Sequence, residues 1–543
     1  MAGPVGERAD LVVLNHAAFF ATQQRGLLRD YLPPLNLMSL VAYLRAELPT
    51  ARLQVIDPEV HYVEPREVAA VLDPIVGRRK LGQTPDRVSV LRRANNAMFA
   101  FMADQEPRVA ARLRADLEAA NPQVIAVPFH YSGSYAQSAA LTALARRAAP
   151  RALLVTGGAH ATCESAALLA EQPGLDVVIV GEAERPLRAI LQAALQGRLR
   201  TALRQIPGLV HRAGGEVHDN GPGRRIEDLD AIPHPYTVAD DFALDRRREL
   251  FFLMPWLQAN FASAEQEDPA GVFLTSRGCP FDCSFCANAA SSGRHVRFHS
   301  VDYVRDMVRH CVERYALRSA NIADALFGLN RSRTLALCES LAPVGLTWHC
   351  QSRADVLCDD VLGAFARLGM GSVAVGAETF NHRALALSGK GLDPDRLRGV
   401  ARRLRHHGIK PVGTFIVGLP GDDAGSVLRT AALAREVGFE EVSFFPAQAV
   451  VGSRLYRLLV DQVPRRRWRA SGLDPKDVLY TAEMSKPQLL WLAQKAQAVF
   501  EGRERDLRWS AWLRQHGAYL VYDRLPHPWA MGVDRCLRRA NLI

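Results

Sequence analysis

The sequence predicts an α/β protein: a doubly wound, Rossmann-like domain, then a partial (β/α)6 barrel, then a helical C-terminal region. Three observations carry that prediction. Over the first two hundred residues, apolar runs of strand length alternate with amphipathic stretches, the pattern of a parallel sheet covered by helices. A second alternation of the same kind starts at residue 271. Between the two lies a stretch punctuated by Pro and Gly that reads as a linker.

In the first domain, residues 1–200, strands are expected at DLVVLN (10–15), ARLQVID (51–57), QVIAVPF (123–129), ALLVTGG (152–158) and DVVIVGE (176–182). Helices are expected at about 35–47, 135–149, 163–171 and 184–197. A doubly wound sheet binds its ligand outside the carboxyl ends of its strands. Those ends carry Asn15 and His16, then Tyr131 and Ser132, then Gly157, Gly158 and His160, then Gly181 and Glu182. The linker, residues 201–270, contains a hairpin in IPGLVHRAGGEVHDNGP followed by IEDLDAIPHPY. The barrel, residues 271–451, draws its strands from GVFLTSR, RSANIADALF, LTWHCQSRAD, SVAVGAET, KPVGTFIVGLP and EVSFFPAQ, and its chemistry should collect at the C-terminal mouth. Residues 452–543 turn helical and aromatic, as a cap over a core or a pocket would.

Composition narrows the class. A chain of 543 residues, 48% hydrophobic and 23% charged, is globular and long enough for several domains. Nine cysteines without a regular framework fit a reducing cytoplasm. The N-terminal stretch lacks a signal-peptide layout, and the most apolar later segment, LFFLMPWLQANFASA (250–264), is broken by Pro255 and too short to cross a bilayer. The net charge of +10 comes from arginines scattered along helical segments and interleaved with acids, which argues against nucleic acid and for solvated helix faces plus a basic pocket for anions. Gly389 and Lys390 do not belong to a phosphate loop, because the upstream glycine is missing and Gly391 follows.

Residues 275–290 read TSRGCPFDCSFCANAA, placing Cys279, Cys283 and Cys286 at C-x3-C-x2-C spacing on the loop after the first barrel strand. Four thiolates would close a structural zinc site or saturate an iron–sulfur cluster; three leave one metal position open. Two plainer readings compete: zinc completed by His295 or His299, and ordinary buried thiols. Buried thiols have no reason to cluster around Gly278 and Pro280, and zinc would call for a second cysteine pair at a distance. A site-differentiated 4Fe-4S cluster is the favoured reading.

The cysteine loop, with aromatic Phe285 just before its last cysteine, resembles that of the radical S-adenosylmethionine superfamily. The resemblance implies that the amino and carboxylate groups of S-adenosylmethionine occupy the open iron. It further implies that one electron splits the sulfonium and yields an adenosyl radical. Other strand ends match in order. Arg353 in SRAD would pair with the methionyl carboxylate, and Glu378 in AVGAET would accept from the ribose hydroxyls or the ammonium. Ile416 and Gly418 in GTFIVGLPG would border the adenine. Asp324 falls where relatives carry an acid after the second strand, although Ala323 and Ala325 flank it here.

YLPPLNLMSLVAYL (31–44), VTGGAHAT (155–162), VIVGEAE (178–184), IPGLVHR and IEDLDAIPHP together resemble the cobalamin-binding branch of that superfamily, across nearly all of residues 10–450. Cobalamin would then sit at the first sheet, facing the barrel mouth, with the strand-end residues named above as contacts. No Asp is followed two residues later by His, so the D-x-H-x-x-G motif that supplies a lower-axial histidine is absent. His16 and His160 are accordingly side contacts or loop structure and not cobalt ligands.

The implied activity is transfer of a methyl group from methylcobalamin to an unactivated carbon of a small-molecule substrate, fed by an electron donor such as flavodoxin or ferredoxin. Cyclisation or rearrangement without methyl delivery is one alternative. A non-enzymatic cobalamin or Fe-S sensor is another, disfavoured by Arg353 and Glu378. Methylthiolation of tRNA is disfavoured because the N-terminal region holds no second cysteine cluster. No acid–base catalytic residue is assigned, and SFFPAQAVVGSRLY (443–456) is expected to line part of the substrate pocket.

Overall fold

The computed structural model describes residues 8–15, 33–76, 87–130, 134–253, 271–459, 484 and 486–503. The first sheet is built from β1 (Leu11–Leu14), β2 (Leu53–Ile56), β3 (Val124–Pro128), β4 (Leu153–Gly157), β5 (Val177–Ile179), β6 (Leu209–Ala213) and β7 (Glu216–Asp219), in the order β2-β1-β3-β4-β5-β6-β7. The first five strands are parallel, and the order reverses between β1 and β3, where a doubly wound sheet opens its ligand crevice.

These strands read as unbroken apolar runs because both of their faces are buried. Along β1, Leu11 and Val13 pack with Met38, Val41, Leu187 and Leu191, from the helices Leu35–Glu47 and Glu184–Leu195. Val12 and Leu14 pack with Met98, Leu113, Leu141 and Leu168 on the opposite face. The hairpin expected within the linker is instead the edge of this sheet. β6 pairs antiparallel with β5, and β6 turns into β7 through Gly214 and Gly215, whose φ values of 63° and 88° suit a two-residue hairpin turn. Helices Pro65–Val76 and Arg87–Ala120, between β2 and β3, were not legible in the sequence. The second mixes alanines and charged residues without a clear apolar stripe and carries Pro107 in its interior, which interrupts the helical signal.

The second sheet contains β8 (Val272–Phe273), β11 (Ser319–Ile322), β12 (Thr347–Ser352), β13 (Met370–Glu378), β14 (Lys410–Val417) and β15 (Glu441–Pro446). All neighbours are parallel and adjacent in chain order, so the six expected strands form an open, partial barrel with β8 and β15 at its edges. A short antiparallel ribbon, β9 (Ser276–Arg277) with β10 (Arg297–Phe298), interrupts the alternation after β8. The outer helices start on side-chain caps. Ser300, Asn330, Asp393 and Asp423 each accept a backbone N–H from the first turn. Helix Lys486–Phe500 lays Leu489, Leu492 and Ala496 against Val417, Val427 and Ala431, covering the β15 edge. Of the expected C-terminal cap, the helix Arg454–Leu459 is also described, while residues 460–483, 485 and 504–543 lie outside the described residues. So does most of the apolar segment 250–264, of which Leu250–Leu253 end the helix Leu244–Leu253. Among the described residues no helix is long and apolar enough to cross a membrane.

Candidate active site

The three cysteines sit between β9 and β10, at the mouth formed by the C-terminal ends of the barrel strands. None is in a disulfide. Gly278 opens the loop at φ 98°, and a Cβ there would collide with the His295 carbonyl, so only glycine fits. Cross-chain hydrogen bonds pin the loop on two sides. Ser284 N donates to Ser388 O at 2.7 Å, and Ser284 O accepts from Leu455 N at 2.7 Å. Arg454 also donates to the Asp282 carbonyl at 2.7 Å.

Asp324, after β11, anchors the approach to the loop. Its two carboxylate oxygens accept from the backbone N–H groups of Thr275 and Ser276 at 2.6 and 3.1 Å, and bond both hydroxyls at 2.6 and 2.7 Å. Burial pushes its carboxyl upward, opposed by those four bonds. All four of these bonds tie Asp324 to the chain, at the carboxylate expected to contact S-adenosylmethionine.

Two cations flank the thiols. Arg353, following β12, is held bidentately by Asp355 at 3.0 and 2.8 Å and lies over the Phe281 ring at 3.6 Å. Its remaining nitrogen, Nη1, reaches 3.9 Å from Cys283 Sγ. Lys390 is buried, pairs with Glu378, and stands 6.0 Å from the Phe285 ring centroid. Glu378 ends β13 in the left-handed region at φ 62°, a conformation uncommon outside glycine and a mark of functional constraint. Gly376 makes room for the pair, since a Cβ there would lie 2.6 Å from Lys390 Nζ and 2.8 Å from Glu378 Oε1. Burial pushes the Cys283 and Cys286 thiols up, and Lys390 pulls both the other way, joined at Cys283 by Arg353. Sequence reasoning missed Lys390 as a site residue because the GK pair was weighed only as a phosphate loop. Its placement depends on the loop after β13 folding back toward the cysteines.

Of the two histidines in the zinc alternative, one is engaged by the protein and the other is exposed. His299 is stacked on Tyr303 at 4.0 Å and bonded to Asp230 at 3.1 Å, and His295 lies beside Glu227. Three unpaired thiols with cationic neighbours are the donor set that a site-differentiated cluster calls for. Ile416 is half-buried at the end of β14, in register with the exposed Phe445 of β15, and Gly418 follows at φ 88°.

In the first domain, Gly157 ends β4, and Gly158 adopts φ 118°, where a Cβ would lie 2.6 Å from the Phe129 carbonyl. Gly158 thus lets the chain leaving β4 pass close against the end of β3 at the ligand side. His160 is buried in the short helix Ala159–Cys163: its backbone N–H donates to His130 O at 3.0 Å and its ring meets Tyr135 edge-on. Gly181, at φ 85°, donates its N–H to Thr162 Oγ1 at 3.0 Å. Two expected cobalamin contacts are instead engaged by the protein. Asn15 donates to Asp57, which pairs with the buried Arg247, and Glu182 pairs with Arg297 of β10. His16, Tyr131 and Ser132 lie outside the described residues. The C-terminal part of the segment 443–456, which was expected beside the substrate, straps the cysteine loop: Val451, Leu455 and Tyr456 pack with Phe285 and Cys163.

Comparison with known proteins matches two parts of the chain to known families. Residues 273–434 match the Radical SAM superfamily and residues 91–191 match the B12 binding domain. An uncharacterized methyltransferase of Pyrococcus horikoshii is 26% identical over 392 residues, 71% of this chain and 80% of that protein. The anaerobic magnesium-protoporphyrin IX monomethyl ester cyclase of Rubrivivax gelatinosus is 27% identical over 300 residues, 54% of this chain and half of that protein. Cytidylyl-2-hydroxyethylphosphonate methyltransferase of Streptomyces wedmorensis is 26% identical over 389 residues, 66% of this chain and 69% of that protein. Two solved structures share the fold. The cobalamin-dependent radical enzyme OxsB does so at TM-score 0.62 and 14% identity over 99% of this chain and 71% of its own. The methyltransferase TsrM of Kitasatospora setae does so at TM-score 0.58 and 15% identity over 84% and 78%. The chain thus carries a Radical SAM domain and a B12-binding domain, and these imply a 4Fe-4S cluster, S-adenosylmethionine and cobalamin as its cofactors.

Proposed function

We propose that this enzyme is a C-methyltransferase that moves a methyl group from methylcobalamin to an unactivated carbon of a small-molecule substrate. The observation that carries the reading is the joining of the ligand-bearing end of the first sheet to the ribbon that holds the cysteine loop. That juxtaposition suits two cofactors acting on one substrate carbon. When bound, the cluster supplies the electron that cleaves S-adenosylmethionine, and cobalamin supplies the methyl group.

The chain's own residues hold and orient. Cys279, Cys283 and Cys286 bind the cluster as thiolates and leave one iron open. Arg353, fixed by Asp355 and Phe281, presents Nη1 toward that corner for the methionyl carboxylate. Glu378 takes the ammonium or ribose hydroxyls of S-adenosylmethionine, with Lys390 fixing its rotamer and balancing thiolate charge. Ile416 and Gly418 border the adenine. Gly157, Gly158 and Gly181 give cobalamin close access to backbone, as glycines do at phosphate and ring edges. The substrate would lie between the barrel mouth and the first sheet, and the electron would come from a small cytoplasmic donor such as flavodoxin or ferredoxin.

The test is anaerobic reconstitution with iron, sulfide and hydroxocobalamin, followed by turnover with candidate substrates. Methyl transfer requires 5'-deoxyadenosine and S-adenosylhomocysteine to accumulate together with methylated product. The relatedness to magnesium-protoporphyrin cyclases keeps cyclisation as a second reading. It would yield 5'-deoxyadenosine without S-adenosylhomocysteine.

A further inference from the structure

The ribbon that carries the cysteine loop has an unusual pair at its base. β9 and β10 place Arg277 directly opposite Arg297, on one face of a two-stranded ladder. Like charges in that position repel, and a ribbon of two residues per strand has little pairing energy with which to oppose them. The repulsion is relieved from the other domain. Arg277 bonds Glu184 at 2.7 Å and lies 3.8 Å from Glu182, and Arg297 pairs with Glu182 and donates to the Ile226 carbonyl. The side chains of Arg297 and Glu184 are only 3% and 6% exposed, and those of Glu182 and Arg277 16% and 21%. Both carboxylates follow β5 directly, beside Gly181, at the ligand end of the B12-binding domain.

We propose that Arg277, Arg297, Glu182 and Glu184 form an interdomain clamp that sets the separation between cluster and cobalamin. They are positioning residues, acting through the ribbon and the end of β5 and not on the reacting atoms. The clamp rests on the reading above that both cofactors meet at this junction, and extends it to the residues that fix their distance. A largely desolvated two-by-two arrangement suits that task, because removing one charge takes from an opposite one its nearest partner at the boundary. It also couples the domains in both directions: the ribbon is comfortable only when the first sheet is docked, and the carboxylates only when the ribbon is folded.

The test uses the full holoprotein, carrying a reduced cluster and cob(II)alamin, and reads the magnetic coupling between the two spins by pulsed EPR. Wild type should give a single resolved coupling. Arg277→Gln and Glu184→Gln, which keep shape and lose charge, should retain iron and bind cobalamin with an unchanged absorption spectrum, yet lose the resolved coupling to a broad distribution. The exchange Glu182→Arg with Arg297→Glu should sharpen it again relative to either single change. If the neutralised variants keep the wild-type coupling, or wild type shows none with both cofactors loaded, the clamp is overturned. A variant that loses iron or cobalamin along with the coupling also counts against it, since a clamp acts on separation and not on loading. Failure of the methyltransferase reading would appear separately, as a coupled wild type that releases no S-adenosylhomocysteine.

Discussion

Asp324 and Lys390 are buried charges close to the cysteine loop, and their partners assign them different tasks. Asp324 spends its oxygens on Thr275 and Ser276, so Asp324→Ala would strand four donors and should cost roughly 3 kcal/mol or more of stability, and most of the bound iron. Iron analysis and a thermal melt check this. A variant that keeps its iron and loses only S-adenosylmethionine affinity would make Asp324 a cofactor contact. Lys390 meets Glu378 and faces the aromatic Phe285. Lys390→Met should therefore retain the cluster while weakening S-adenosylmethionine binding about tenfold or more, the scale of one lost buried charge-assisted contact. Equilibrium binding to the reconstituted protein reads it. Gly376→Ala should imitate this loss, because its methyl would occupy the space of the pair.

At the scale of elements, glycines decide where strands may hand over to cofactor loops. Gly158→Ala adds a Cβ 2.6 Å from the Phe129 carbonyl at φ 118°, so it should lower cobalamin retention, measured by absorbance after gel filtration, while iron content stays unchanged. The sequence made the parallel strands legible because burial on both faces leaves continuous apolar runs, as in β1 and β3. The cysteine loop was legible because its spacing has few other uses. Helix Arg87–Ala120 was not, since its intermixed alanines and charges and Pro107 blur the period, and the β6–β7 hairpin looked like a linker because nothing local says which sheet a hairpin joins. Lys390 and the partners of Glu182 were hidden for a similar reason: both depend on contacts between segments far apart in sequence. Glu182 and Arg297 are 115 residues apart.

For the whole molecule, burial governs the pH response. Burial pulls His130 down to about 4, and it pulls His299 down to about 4 despite Asp230. Each stays neutral in the folded chain while it would protonate near pH 6.5 once unfolded. The unfolded state thus binds more protons as pH falls below 6.5, and stability is lost in that window, by roughly 1 to 2 kcal/mol per histidine between pH 7 and 5. Thermal melts at both pH values should show a lower Tm at pH 5, and His299→Gln should reduce the difference. The same junction also unites the domains, since Tyr456 after the barrel reaches Glu164 of the first domain at 3.3 Å, beside the strapped cysteine loop.

The account stands on an iron left open by Cys279, Cys283 and Cys286 for S-adenosylmethionine. The most direct measurement is the EPR spectrum of the reduced, reconstituted protein, containing about four irons per chain, with and without that nucleotide. Binding at the open iron predicts a changed g-tensor on addition, abolished in the triple Cys→Ala variant. A cluster signal that ignores S-adenosylmethionine, or a variant that still cleaves it, would contradict the assignment.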